Sequence, residues 1–298
     1  MTRFPTSEGR IPFEIPGKSD VPCSTCYKVF GDLASSAPPV IALPGGPGSG
    51  HEYLLPFAEL WPQYGLPVVF YDQIGCGAST HLSQTAGDAG FWQESLFVAE
   101  LDNLIDHLKL RDGPGFHLLV LASGVATMEL SVQSIRLRRS ELPIDIQSVL
   151  DKCEQEADYE SPRYQEALKV FHKMFVCRAE PVPAELALAF QHFSEDRTVY
   201  GTMYGPSVFD CNGSLRGWTV IPRLPQITAP TLVYNGEYDT SHDIAQEPFF
   251  EFIPRVRWII FQGGSHMCHL DGGGLRERVL KVVGEFMMQH KASEKTLR

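Results

Sequence analysis

Two rhythms of apolar positions run along this chain. Short unbroken apolar runs ending in glycine-rich or acidic loops fill the first and last thirds, and segments of helical period fill the middle. Residues 8–15 and 27–31 predict an opening antiparallel hairpin across the turn-forming stretch 16–20. Residues 40–43 read as a buried strand closed by Pro44, Gly45 and Gly46, and residues 66–71 as a second strand entering another glycine-rich loop. Residues 51–61 between them read as helical. Over 91–110, Phe97, Leu101, Leu104, Ile105 and Leu108 recur at helical spacing, with Glu94, Glu100, Asp102 and Asp106 assigned to the opposite face. Residues 116–121 form the next apolar strand. Strands alternating with helices of this length imply crossover units and a mostly parallel sheet.

The rhythm changes at Met128. Helical segments follow one another at 128–140, 144–156, 161–176 and 183–193 with no strand between them. Alternation resumes with strands at 231–235 and 257–262, helices at 244–252 and 275–290, and a polar tail at 291–298 that should fray. The expected architecture is α/β: a mostly parallel sheet flanked by helices, with an inserted all-helical lid. The division is 1–127 for the first part of the core, 128–223 for the lid and 224–298 for the second part.

Composition narrows the function classes. The chain has 298 residues, 43% hydrophobic and 20% charged, as expected of a globular protein. A net charge of −11 would repel nucleic-acid phosphates, so no nucleic-acid partner is expected. Residues 1–10 lack the apolar centre of a signal peptide and no run is long enough to span a bilayer, so a cytoplasmic protein with no membrane partner is expected. Seven cysteines scattered over a chain of this size fit a reducing compartment. Cys23 and Cys26 read as cysteines of an early strand or turn, since no second ligand pair accompanies them. No metal and no organic cofactor is expected.

Candidate chemistry sits in four loops after strands, where parallel α/β sheets carry their function. Gly45 and Gly46 could present backbone N–H groups to an oxyanion. Asp72, Gln73, Ile74, Gly75, Cys76 and Gly77 form a second loop, read as a rigid support. The third loop carries Asp239, after the strand at 231–235, and the fourth carries His266, after the strand at 257–262. An Asp followed one strand–helix unit later by a His matches the order of the Ser–Asp–His hydrolase triad, in which the acid orients the imidazole and the imidazole moves the proton. Asp239 suits the acid role better than Glu237, and His269 is expected to be a local partner or exposed.

These motifs give the chain its resemblance. Pro44-Gly45-Gly46-Pro47-Gly48, Asp72-Gln73-Ile74-Gly75-Cys76-Gly77-Ala78-Ser79, Gly236-Glu237-Tyr238-Asp239, Ser265-His266-Met267 and Met203-Tyr204-Gly205-Pro206-Ser207-Val208-Phe209 together resemble the proline iminopeptidase family of α/β hydrolases, in its fungal and bacterial amino-acid-amidase-like branch. The similarity runs from Glu8 to Met287. It implies a serine-type hydrolase that removes an N-terminal residue or cleaves a small amino-acid amide or ester, with a small-molecule or short-peptide substrate and conceivable use as a tailoring enzyme in biosynthesis. By resemblance Asp239 and His266 are the catalytic acid and base, and Gly45 or Gly46 gives an oxyanion N–H.

Three features depart from the family pattern. Pro44 replaces its usual His, and Val208 stands where an acidic lid residue is expected. Beyond Leu119 the family continues into a Gly-x-Ser-Trp-Gly-Gly nucleophile elbow, a helix and a further strand. Here that strand runs directly into Val120-Leu121-Ala122-Ser123, about one strand–helix repeat short. Ser123 is the candidate catalytic nucleophile, although Leu121 and Val125 occupy the positions where an elbow needs small residues. Cys76 is a weaker candidate. Three readings stay open: a serine hydrolase, a pseudo-hydrolase acting as a binding or accessory protein, and an acid–base enzyme using His266 and Asp239 without a serine nucleophile.

Overall fold

The computed structural model describes residues 5–111 and 117–296, so the expected strand start at Phe116 lies outside the described residues. In chain order the elements are strands β1 (Ser7–Ile15), β2 (Lys18–Phe30) and β3 (Val40–Ala42), then a 3-10 helix (Glu52–Glu59) running into α1 (Leu60–Tyr64). Strand β4 (Val68–Asp72), helix α2 (Glu94–His107) and strand β5 (Leu119–Ala122) follow. Helices α3 (Met128–Ser140), α4 (Ile144–Gln155), α5 (Pro162–Phe171), α6 (Ala184–Glu195) and α7 (Thr198–Met203) make up the strand-free middle. Strand β6 (Thr231–Gly236), helix α8 (Asp243–Phe252), strand β7 (Val256–Phe261) and helix α9 (Leu275–Thr296) complete the order. Helix α9 continues to Thr296, through most of the tail expected to fray.

The chain divides into two compact units: Met1–Gly115 with Pro183–Gly205, and Phe116–Val182 with Pro206–Arg298. The helical middle is thereby shared out, with α6 and α7 belonging to the first unit and α3 to α5 to the second.

The first unit is built on a sheet of order β1-β2-β4-β3. β1 and β2 form the expected antiparallel hairpin, and β3 lies parallel to β4. Alternation along β1 sends Ile11, Phe13 and Ile15 inward, each burial contributing about 1.5–3 kcal/mol. Ile11, Val29, Val69, Tyr71 and Leu104 form one core cluster between this sheet and α2. One position on α2 departs from its helical pattern. Glu100 is fully buried, not on a solvated face, because its carboxylate accepts bonds from Thr25 Oγ1 (2.5 Å) and the Ile74 N–H (3.0 Å). Burial pushes its pKa up to about 7.

The second unit carries a parallel sheet of order β5-β6-β7. Leu142, Leu150, Tyr164, Leu168, Phe171, Phe175 and Phe209 pack α4 and α5 into a core of their own, with Val208 half-buried against it. Thr127 caps α3 by accepting the Glu129 N–H, and Ser161 caps α5 ahead of Pro162.

β3 and β5 are each an edge of their own sheet. Central strands β4 and β6 are buried at every position, but β3 is half-buried throughout and β5 is half-buried with Ala122 exposed. Parallel strands are ordinarily covered on both faces.

Candidate active site

Strand β6 is buried at every position and the chain then turns sharply at Gly236, which brings Asp239 back to the strand end. The Asp239 N–H bonds the Gly236 carbonyl at 3.2 Å. The Asp239 carboxylate has no solvent exposure and all four of its acceptor directions are used. Oδ1 accepts the Ser241 N–H (2.7 Å) and faces His266 Nδ1 at 2.7 Å. Oδ2 accepts the Ser123 hydroxyl (2.6 Å) and the Gly236 N–H (3.2 Å).

His266 is delivered by the loop after β7. Its N–H donates to the Phe175 carbonyl (3.0 Å), and Met267 N–H donates to the Val176 carbonyl (2.8 Å). The stretch that follows α5, His172–Val176, therefore anchors the histidine loop. The ring is about 30% exposed while its partner carboxylate is fully covered. Burial lowers the imidazole pKa, but the Asp239 charge and hydrogen bond outweigh it and the net shift is upward. With Nδ1 committed to Asp239, Nε2 is the atom left to take or give a proton.

Ser123 takes a different place from that expected of an attacking hydroxyl. Its Oγ bonds Asp239 Oδ2 and, at 3.1 Å, the His266 main-chain carbonyl. Both are acceptors, so the serine proton points to the acid and no hydrogen bond joins Oγ to the imidazole ring. Ser123 does adopt a left-handed backbone (φ 51°), a strained conformation for a serine. Its N–H to the Tyr234 carbonyl (2.8 Å) and its own carbonyl, which accepts Ser241 Oγ (2.9 Å), hold that turn.

Arg138 gave no signal in the sequence beyond being a basic residue at the end of a helix. It is almost fully buried, and its guanidinium donates to the Asp239 carbonyl (2.8 Å), the Glu237 carbonyl and Glu141 Oε1 (2.9 Å). The Asp239 loop is thus clamped from outside as well as through its carboxylate. Glu237 itself turns to the Gly263 N–H (2.8 Å) and does not reach the histidine. His269, expected as a local partner or exposed, is buried.

Gly45 and Gly46 belong to the first unit. The Gly45 N–H is already engaged, donating to the Tyr53 hydroxyl at 2.6 Å. Gly46 has φ 133°, a conformation that only glycine adopts readily, and no hydrogen bond among the described residues engages its N–H. Of the two, only the Gly46 N–H is without a hydrogen bond among the described residues. Cys76 is buried and its thiol pKa is pushed far up, chiefly by burial, which removes the thiolate a nucleophile would need. Cys23 and Cys26 lie three apart on β2 and are free thiols.

Comparison with known proteins follows this geometry. No protein-family model matches the chain. The solved structure of proline iminopeptidase from Mycobacterium smegmatis is 33% identical, superposes with a TM-score of 0.84, and aligns over 97% of this chain and 100% of its own. The chain belongs to the proline iminopeptidase family. The family is one of α/β-hydrolase fold and hydrolytic activity. The structure of VinJ is 36% identical with a TM-score of 0.87, covering 96% of this chain and 99% of VinJ. The curated proline iminopeptidase of Saccharolobus solfataricus is 29% identical over 280 residues, 88% of each chain. Among the described residues, no helix is long and apolar enough to cross a membrane.

Proposed function

We propose that this member of the family hydrolyses an amide or ester next to an amino-acid-like group, using His266 and Asp239 as its acid–base pair, with Ser123 orienting Asp239 and not attacking the substrate. The observation that carries this reading is the buried carboxylate shared between the two. One oxygen faces His266 Nδ1 at 2.7 Å and the other accepts the Ser123 hydroxyl at 2.6 Å. On this reading His266 Nε2 takes a proton from a water as its oxygen adds to the substrate carbonyl carbon. The same proton then passes to the leaving nitrogen or oxygen as the scissile bond breaks. Asp239 stabilises the imidazolium formed between the two steps.

The names of the relatives support an N-terminal residue, often proline, as the group removed, from a short peptide or small amide. The free cysteines support a reducing, cytoplasmic setting. The edge position and partial exposure of β5 favour a second reading, a pseudo-hydrolase that binds without turnover, because among the described residues no strand pairs with its other edge to carry the nucleophile.

Purified protein assayed on prolyl- and alanyl-nitroanilide, alongside fluorophosphonate labelling with peptide mapping, separates these readings. Turnover lost in His266→Ala with no adduct on Ser123 is the expected result. A stoichiometric adduct on Ser123 would instead make the serine a nucleophile. A folded protein with ligand-induced stabilisation but no turnover would favour the binding reading.

A further inference from the structure

A second buried aspartate of the second unit, Asp271, lies just beyond His266 and takes no part in the site described above. The chain turns back on itself to reach it: the Leu270 and Asp271 N–H groups both donate to the Met267 carbonyl, at 2.7 and 3.2 Å. The Asp271 carboxylate then makes three short bonds. Oδ2 accepts the Ser265 N–H (2.6 Å) and the Ser265 hydroxyl (2.8 Å), and Oδ1 accepts the Arg178 N–H (2.6 Å).

These partners belong to the two strips of chain whose contact places His266. The strips, 265–267 and 175–178, are joined by the His266 N–H on the Phe175 carbonyl and the Met267 N–H on the Val176 carbonyl. Ser265 Oγ also lies 2.9 Å from the Val176 carbonyl, so its one proton is shared between that oxygen and Asp271. Asp271 reaches both strips with one side chain and closes the ladder at its Arg178 end. On the other side, the Gly264 carbonyl accepts the Tyr238 N–H (2.8 Å), which ties the same loop to that of Asp239. The turn is packed closely, since a Cβ at Gly264 would stand 2.9 Å from the Cys268 Cβ.

We propose that Asp271 is a positioning residue for His266, fixing Ser265 to the chain after α5 so that the imidazole keeps Nδ1 on Asp239 and holds Nε2 in one place for proton transfer. The ring moves with its main chain. The bond from Nδ1 to Asp239 is 2.7 Å, and such bonds weaken beyond about 3.2 Å. A reacting group misplaced by about 1 Å can lose about 10²-fold in rate. The inference rests on the proposed function for what His266 does, but not for where its ring lies.

The test compares full-length wild type, Asp271→Asn and Ser265→Ala by ring-nitrogen NMR titration of His266, assigned by its loss in His266→Ala, and by kinetics on prolyl-nitroanilide. Burial lowers the His266 pKa and the Asp239 charge and hydrogen bond raise it, so a ring that drifts from Asp239 must titrate at lower pH. A fall of about one pH unit is expected in Asp271→Asn, with a smaller fall in Ser265→Ala. Ser265→Ala removes no charge, so its shift reports the ring's place and not a lost field. In Asp271→Asn kcat should drop about 10²-fold with little change in KM. An unchanged His266 titration in the folded variants, with only Tm lowered, would overturn the proposal and leave Asp271 a staple of the loop. If Asp271→Asn does not fold, the Ser265→Ala titration decides. Wild-type protein without turnover would sink the hydrolytic reading, and the NMR comparison would still decide this one.

Discussion

Each compact unit contains a buried aspartate paired with a histidine Nδ1, and the two pairs are almost the same length, 2.7 Å for Asp239–His266 and 2.8 Å for Asp72–His51. Both aspartates have no exposure; Asp72 ends a strand of buried residues and Asp239 follows one. The difference lies in the far side of the imidazole. The His266 side chain is about 30% exposed, whereas that of His51 is 3% exposed and its Nε2 is buried without a partner. An Asp–His distance alone does not make a catalytic pair. On the proposed function, what separates a proton-transfer group from a structural one is access to the second nitrogen.

The largest expected break in the comparison comes from removing each imidazole. His266→Ala should lower kcat/KM on an aminoacyl-nitroanilide by about 10²–10⁴-fold with the smaller loss of stability of the two, since water can reach the place of its partly exposed ring. His51→Ala should do the reverse, costing about 3–5 kcal/mol in denaturant unfolding by taking the imidazole from a buried Asp72 that keeps only the His51 and Ala78 N–H groups. A large Tm loss in His266→Ala, or none in His51→Ala, would erase the distinction.

Asp239→Asn sharpens the catalytic side through pH. The histidine pKa stands above its ordinary 6.5 because of the Asp239 charge and hydrogen bond. A base must be neutral, so kcat/KM should rise with pH through a value above 6.5 in the wild type. In Asp239→Asn that limb should move to lower pH while the maximum rate falls. The sign of the stability effect runs the other way: the imidazolium–carboxylate contribution is complete below about pH 6.5 and is lost as pH rises through the raised pKa. The Tm gap between wild type and variant should therefore narrow toward alkaline pH, and a gap that widened would contradict the pairing.

Arg138→Met removes the clamp on the Asp239 and Glu237 carbonyls. Freeing two buried acceptors should cost about 2–4 kcal/mol, measurable by denaturant unfolding, with a fall in kcat larger than any change in KM. The smallest effect is expected for Ser123→Ala. Losing one bond to a charged acceptor should cost about 1.5–3 kcal/mol and less than about tenfold in rate. A rate loss of several thousandfold, comparable to His266→Ala, would identify Ser123 as the attacking group.

The parts of this molecule legible in the sequence are those set by local pattern. The α3 boundaries match the reading to the residue, because Thr127 is a polar cap directly before a periodic segment. The hairpin, β6 and β7 were legible from their apolar runs, and Asp239 and His266 from their place after strands. Glu100 was misplaced because its partners, Thr25 and the Ile74 N–H, are 75 and 26 residues away. Arg138 was invisible for the same reason: its acceptors are main-chain carbonyls about a hundred residues along the chain.

The sequence by itself determined the alternation of strand and helix, the family, and the residues able to carry a proton. These follow from apolar periodicity, turn chemistry and the order of short motifs. Only the tertiary structure decided that the Ser123 hydroxyl faces the acid and not the base, that Gly45 has given its N–H to Tyr53, and that a second Asp–His pair lies buried beside Glu52 and His192. A hydroxyl or an N–H carries no mark of its partner along the chain. Which acceptor it meets is fixed when distant strands and loops close on one another, and that partner decides whether the group is chemical or structural.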